Sequence, residues 1–463
     1  MKVLVTGATG FVGKKLVSQL INRGHKVSIL TRDTEIARKR LPMNCEFHKW
    51  EPELYPPSSQ AFDGVNAVVH LAGENIADGR WSESRKNKIK DSRVLSTRNL
   101  VSTLKSMKNP PDTFVSASAV GFYGKDKPVE LYEDLGPGKD FLADVCKEWE
   151  HEAFAARDHN IRTIALRIGI VLGYEGGAIK KMLPPFWAGV GGTLGDGNQW
   201  MSWIHIKDLV GMIIHSLENK TIQGAYNATS PDPVTNKAFT KCLAKVLRRP
   251  AILPVPKLAL KIILGEMSDL LLGSLKVSSS KIIESGYTFQ FPYLLSALND
   301  ICKNSTNEFI VEHWLPLSID EIFSFFKEPK NLEKITPGYL NFKVLNQSSK
   351  EINEGTKINY RLSLHGIPMW WQSKIVDWEP NHKFSDTQIH GPYNHWYHTH
   401  EFEEKEGGTL IRDHVKYKLP FGIPGDCVAG SWVQKDLENI FDFRKKKIRE
   451  IFEDQILSSH SKV

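Results

Sequence analysis

Apolar positions set the outline of this 463-residue chain. Through the first ~300 residues, short β-branched runs alternate with stretches whose apolar residues recur every third or fourth position. That alternation predicts βαβ units and a parallel sheet with helices on both faces. KVLVT at 2–6 predicts a buried strand, 11–23 an amphipathic helix stopped by Gly24, and 26–31 a second strand. Further strands are predicted over 46–49, 67–71, 113–117 and 162–168, with helices over 82–107 and 140–156. From Gly173 to Gly197 the chain turns glycine-rich, where a doubly wound protein would build a small substrate lobe.

The pattern changes beyond the polar stretch KNSTN at 303–307, a linker signal. A strand over 309–315 and a short helix over 319–326 lead into long alternating strands between about 357 and 418. A charged amphipathic helix over 437–452 follows. The expected organisation is an α/β Rossmann-type domain over 1–302, with an extension at about 250–300. An α+β domain over 307–453 and a disordered tail over 454–463 complete it.

Composition narrows the class without redirecting it. Hydrophobic residues are 41% and charged residues 24%, ordinary for a globular protein. The net charge of +7 is too diffuse for nucleic acid, though an anionic dinucleotide would suit it. Cys45, Cys146, Cys242, Cys302 and Cys427 are scattered and form no CxxC pair, which argues against a disulfide framework or a cysteine zinc site. The most apolar stretch, near 258–275, is broken by Lys261, Glu266 and Asp269, so no stable membrane insertion is expected. A core strand at the very start leaves no room for a signal peptide, and a cytoplasmic protein is expected.

The chemistry begins at Gly7-Ala-Thr9-Gly10-Phe11-Val12-Gly13, directly after a strand and opening a helix. Gly7 permits the tight turn, Gly10 lets backbone approach a pyrophosphate, and Gly13 lets helix pack on strand. The helix N-terminus offers donors and partial positive charge to phosphates. The second strand ends in Thr31-Arg32, neutral and cationic where an acidic side chain would favour NAD. A charge-assisted hydrogen bond of ~1.5–3 kcal/mol from Arg32 to a 2′-phosphate favours NADP by roughly ten- to a hundredfold. The alternative is that Arg32 points to solvent and Asp33 turns in. His70, Leu71, Ala72 and Gly73 follow the next strand, where small residues would let backbone pass the adenosine ribose. The expected cofactor is NADP(H).

TGATGFVG, HLAGENIADGRW, the pair Ser92-Arg93, SASAVGFYG and GNQWMSWIHIKDL together resemble the atypical short-chain dehydrogenase/reductases, more narrowly the epimerase family protein group, 39U-like. The resemblance spans about residues 1–300, and the segment 254–292 resembles the group's small C-terminal extension. It implies NADP(H) binding, an inward-aimed Arg93, and a homodimer of the kind extended relatives form through two helices. Extended reductases also use a Ser, a Tyr and a Lys, the last two in Tyr-x-x-x-Lys spacing, to move a proton. Ser118 matches the serine and Lys147 stands on the next helix, but Ala143 sits four residues before it, so that pair is absent. Tyr123 is the nearest substitute; it could equally be a packing residue, and Lys147 a surface lysine. His205 reads as a core histidine and Asp208 as a helix cap.

Residues 307–453 resemble the START/polyketide-cyclase superfamily (SRPBCC), which implies a helix-grip fold around a cavity for a small apolar or lipid-like ligand. Alternation puts Trp396, His398, His400 and Phe402 on one face of a strand. His-x-His on a strand can chelate, but the sequence identifies no third or fourth ligand, so no metal is expected there. Trp370 and Trp371 are adjacent, so at most one can face the cavity. Three functions fit. One is an NADPH-dependent reductase or isomerase acting on an apolar substrate held by the second domain. Another is a non-catalytic NADP(H)-dependent sensor or scaffold. The third makes the second domain a cyclase or carrier in its own right.

Overall fold

The computed structural model describes residues 1–453 except 43, 126, 128, 305, 421 and 422, so the tail expected at 454–463 lies outside the described residues. The chain divides into two compact units, Met1–Ser305 and Thr306–Val463.

The first unit is built on seven strands: β1 (Lys2–Thr6), β2 (Lys26–Thr31), β3 (Cys45–Lys49), β4 (Ala67–His70), β5 (Thr113–Ala119), β6 (Arg162–Ile168) and β7 (Gly224–Ala228). Every pairing among them is parallel, in the order β7-β6-β5-β4-β1-β2-β3. The order reverses between β1 and β4, and such a switch point leaves a crevice at the strands' carboxyl ends. Successive side chains enter opposite faces: Val3, Val5 and Val69 pack in one core, Leu4, Val68 and Phe114 in the other. Helix α1 (Phe11–Asn22) buries Gly13, Leu16, Val17 and Leu20, one face at helical spacing. Three more helices bear on the site: α2 (Thr34–Arg40), α3 (Glu83–Ser106) and α4 (Phe141–Phe154). Another, α5 (Ile206–Glu218), covers the first core.

Strand β7 reads GAYNA and carries no β-branched residue, so nothing in its composition announced it; pairing with β6 makes it a strand. β5 runs two residues beyond the predicted end and takes in Ser118. Short two-stranded pairs beyond β6, such as Ile170–Leu172 with Trp203–His205, form the small lobe.

The second unit has strands β8 (Asn307–Leu315), β9 (Lys343–Gln347), β10 (Lys357–Leu364), β11 (Ile367–Glu379), β12 (Lys383–His390), β13 (His395–Lys405) and β14 (Gly408–Lys418). They form one antiparallel sheet in the order β8-β14-β13-β12-β11-β10-β9. Helix α6 (Ile319–Phe326) opens on a capping box between Ser318 and Glu321 and buries Ile322, Phe323 and Phe326. Helix α7 (Ile423–Ile451) lays Leu437, Phe441 and Ile448 on the sheet, the helix-grip arrangement. It starts 14 residues before the predicted helix, because Pro424, Gly425 and Gly430 interrupt the helical pattern there. No helix among the described residues is long and apolar enough to cross a membrane.

Candidate functional site

The glycine loop meets its backbone neighbours so closely that side chains are excluded. Gly7 has φ +66°, and a Cβ there would lie 2.7 Å from the Leu71 carbonyl carbon. At Gly13 a Cβ would lie 2.2 Å from the Gly7 carbonyl oxygen and 2.6 Å from Ala8 Cα. Gly10 is the N-cap of α1 and offers no side chain to the first-turn N–H groups, which leaves them for a ligand. Thr9, Phe11 and Val12 are half-buried around this turn. The Phe11 ring lies against Gly173, Gly176 and Gly177, where any Cβ would stand within 3.1 Å of it. The glycines of the small lobe thus make room for an aromatic ring of the loop.

At the end of β2 local bonding engages Asp33. The Asp33 carboxylate caps α2, accepting from Ile36 N–H at 2.9 Å. Thr31 Oγ1 donates to the Asp33 carbonyl. Arg32 is exposed beside them.

The exit of β4 is fixed from beneath. His70 is fully buried, its Nδ1 2.7 Å from Thr6 Oγ1 and its Nε2 3.3 Å from Ser96 Oγ. Burial pushes its pKa down to about 3, so the ring is neutral. Thr6 Oγ1 also accepts from Leu71 and Ala72 N–H, both at 3.2 Å. The His70 side chain therefore anchors the turn, and the backbone of Leu71–Ala72 passes beside Gly7. Arg93 points inward from α3. Its guanidinium donates to the Glu74 and Ile89 carbonyls at 2.9 Å, covers the Trp149 ring at 5.4 Å, and lies against Gly73. Among the described residues it has no carboxylate ion pair, and burial lowers its pKa. The neighbouring Arg85, Lys90 and Arg98 pair with Glu74, Glu148 and Glu152 instead.

Ser118 and Tyr123 join one buried network. Ser118 Oγ donates to Glu150 Oε1 at 2.7 Å, and Arg167 grips both oxygens of Glu150 at 2.9 Å. Arg167 Nη1 donates to Tyr123 Oη at 3.0 Å, which donates in turn to Asn227 Oδ1 at 2.7 Å. This chain ties β5, β6, β7 and α4 together, and burial raises the Tyr123 pKa. Lys147 is not part of it and is exposed on α4. Leu142 and Cys146 of α4 stand against Gly121, where a Cβ would lie 3.2 Å from Leu142 Cβ and 3.9 Å from Cys146 Sγ. Burial pushes the Cys146 thiol up to about 12.

In the second unit Trp396, His398, His400 and Phe402 do share a face, while His395 is exposed. Trp370 is 72% exposed; Trp371 packs edge-on against Trp396. Phe323, Phe384 and Phe402 fill much of the interior with stacked and edge-to-face rings. Only a small crevice remains under α7, where Glu312, Asp413, Arg444 and Lys445 stand beside Phe326 and Ile448. Its accessible wall is mostly apolar, with Val311, Ile411 and Phe441 completing it.

Residues 3–229 match the NAD dependent epimerase/dehydratase family, and 255–301 a domain of unknown function, DUF1731. The chloroplastic epimerase family protein SDR39U1 homolog of Arabidopsis thaliana is 39% identical over 312 residues, 65% of this chain and 87% of that one. Epimerase family protein YfhF of Bacillus subtilis is 38% identical over 302 residues, 65% of this chain and 98% of its own. The chain belongs to the epimerase family proteins. Human epimerase family protein SDR39U1 (isoform 2), solved with NADPH, is 33% identical and superposes with a TM-score of 0.59, covering 66% of this chain and all of that one. Beyond the part shared with these relatives, residues 315–439 of this epimerase-family chain match the polyketide cyclase / dehydrase and lipid transport family.

Two features of this family member escaped the sequence. Asp208 is not the cap of α5; His205 is, accepting from Lys207 N–H. Asp208 is buried and accepts from Gln290 and Phe291 N–H at 2.7 and 3.0 Å, pinning the C-terminal extension to the Rossmann core. The Glu150–Arg167 pair was legible only as two charges far apart in sequence, on a helix and a strand read as amphipathic and buried.

Proposed function

We propose that the first unit binds NADP(H) across the carboxyl ends of β1 and β4, and that the chain is an NADP(H)-dependent oxidoreductase or isomerase acting on an apolar small molecule, with the second unit as its ligand-holding module. The cofactor half is carried by one observation: the Asp33 carboxylate is committed to capping α2, which leaves Arg32 as the charged side chain at the β2 terminus. The glycine turn supports the same reading, as does the NADPH-bound human relative. Gly7, Thr9, Gly10, Phe11, Val12 and Gly13 would cradle the pyrophosphate. Thr31 and Arg32 would meet the 2′-phosphate, while the backbone of Leu71, Ala72 and Gly73 would border the adenosine ribose. His70 and Arg93 hold those segments in place.

Titrating NADPH and NADH against the intact chain and Arg32→Ala tests it. The wild type should prefer NADPH by roughly ten- to a hundredfold, a difference the variant loses while NADH binding stays. NADPH affinity unaffected by the substitution would overturn the assignment.

A second reading, the NADP(H)-dependent sensor, is favoured by a specific fact. Ser118 and Tyr123 are committed to a buried network and Lys147 faces solvent, so the usual proton relay is not assembled. Stereospecifically deuterated NADPH, offered with a carbonyl panel, separates the two: deuterium in a reduced product supports the enzyme, and none across the panel supports the sensor.

A further inference from the structure

The sequence left His398 and His400 without a third ligand; the fold supplies one. Asp386 on β12 pairs directly across from His398 on β13, and His400 pairs across from Asp413 on β14, so all four side chains enter the same sheet face. One donor atom from each of Asp386, His398 and His400 lies within 4.8 Å of the other two. We propose that these three residues form a binding site for a divalent transition-metal ion, a two-histidine, one-carboxylate set with at least one coordination position open.

Three observations carry it. First, His398 Nδ1 stands 3.5 Å from Asp386 Oδ2, longer than a good hydrogen bond. Two donors at that spacing, each ~2.0–2.2 Å from a shared ion, subtend roughly 105–120°, which suits tetrahedral geometry. Second, the opposite nitrogen, His398 Nε2, lies 2.9 Å from Asp413 Oδ1. A carboxylate accepting from one ring nitrogen leaves the lone pair on the other, the outer-shell arrangement of metal-binding histidines. The same Asp413 oxygen is 2.7 Å from His400 Nδ1, so one carboxylate orients both rings. Asp413 is thus a positioning residue. Third, the Asp386 carboxylate enters the same sheet face as the two imidazoles, and carboxylate oxygen with imidazole nitrogen is a donor set that a divalent transition-metal ion takes. Phe384 stacks on His400 at 4.4 Å and shields the site, while Asp386 keeps 17% of its side chain exposed as a route in.

The test uses the untagged full-length chain, stripped with chelator and titrated with Co²⁺. The expected result is one equivalent bound with a visible d–d band, displaced by Zn²⁺. An intense band marks the four-coordinate zinc-type site, and a weak one the six-coordinate iron-type site. Asp386→Asn and His398→Gln should lose the band. Asp413→Asn should keep the stoichiometry and bind roughly 10–100-fold more weakly. NADPH binding by the first unit and far-UV circular dichroism report whether each variant is intact. If the wild-type chain takes up no stoichiometric Co²⁺, or intact Asp386→Asn binds it equally well, the histidines are only ion-paired to Asp413 and the proposal fails.

Discussion

Replacing Tyr123 by Phe removes one oxygen and separates a structural tyrosine from a proton donor. That hydroxyl donates to Asn227 Oδ1 at 2.7 Å and accepts from Arg167 Nη1 at 3.0 Å, in a site with no exposure. Without it, Asn227 Oδ1 loses its donor, while Arg167 keeps Glu150 and the Glu133 carbonyl. A buried acceptor left unsatisfied costs about 1–3 kcal/mol. For a domain of this size, each kcal/mol lowers the melting temperature by roughly 2–4 °C. Thermal unfolding with and without NADPH identifies the first unit's transition, since only that unit should be shifted by the nucleotide. The expected outcome is a lower transition in Tyr123→Phe, with NADPH affinity and any hydride transfer unchanged. A variant as stable as the wild type but at least tenfold slower in hydride transfer would refute the reasoning, because the hydroxyl would then be reaching the reacting atoms.

Three further outcomes follow from the same geometry. Gly13→Ala drives a Cβ to 2.2 Å from the Gly7 carbonyl oxygen, a backbone contact that cannot yield, so calorimetry should show NADPH binding abolished. His70 has a folded-state pKa of about 3 against 6.5, so between those values the unfolded chain binds a proton that the folded chain does not. Its contribution is complete above pH 6.5 and is lost as pH falls towards 3, by about 1.4 kcal/mol per pH unit; His70→Asn should flatten that dependence in urea titrations. Cys146, with its thiol pushed up to about 12 and buried, should resist iodoacetamide at neutral pH; labelling there as fast as a free thiol would contradict the burial.

Sequence carried the fold furthest where local pattern and tertiary demand coincide. Lys2–Thr6 and Phe11–Asn22 are apolar at the periods their structures require, and the glycines between them answer to a steric need visible in the motif alone. β7 and β9 were not legible, because pairing partners rather than composition make GAYNA and KVLNQ into strands. The bonding of Asp33 was illegible for a different reason. It turns on whether an aspartate caps a short helix, α2, that the periodicity does not announce. In the second unit the alternation of His398 and His400 was readable, but Asp386 and Asp413 come from neighbouring strands whose register only the folded sheet defines.

Helix phase decides the chemistry of the first unit. A Tyr-x-x-x-Lys pair works because two residues four apart share a helix face and both reach the strand end. Counting back from Lys147 lands on Ala143 and suggests a single missing tyrosine. In the structure Ala143 is fully buried, Leu142 and Cys146 are the α4 side chains against Gly121, and Lys147 is turned about 100° from Cys146 into solvent. Neither residue against Gly121 can exchange a proton near neutrality: one is a hydrocarbon, and the other is a thiol raised by burial. The charges beside Cys146 are Glu150, which adds to burial in opposing the thiolate, and Arg93 and Arg167, which favour it without overcoming that burial. The departure from the Tyr-x-x-x-Lys pattern therefore touches both positions: Ala143 is buried with no proton to give, and Lys147 faces solvent.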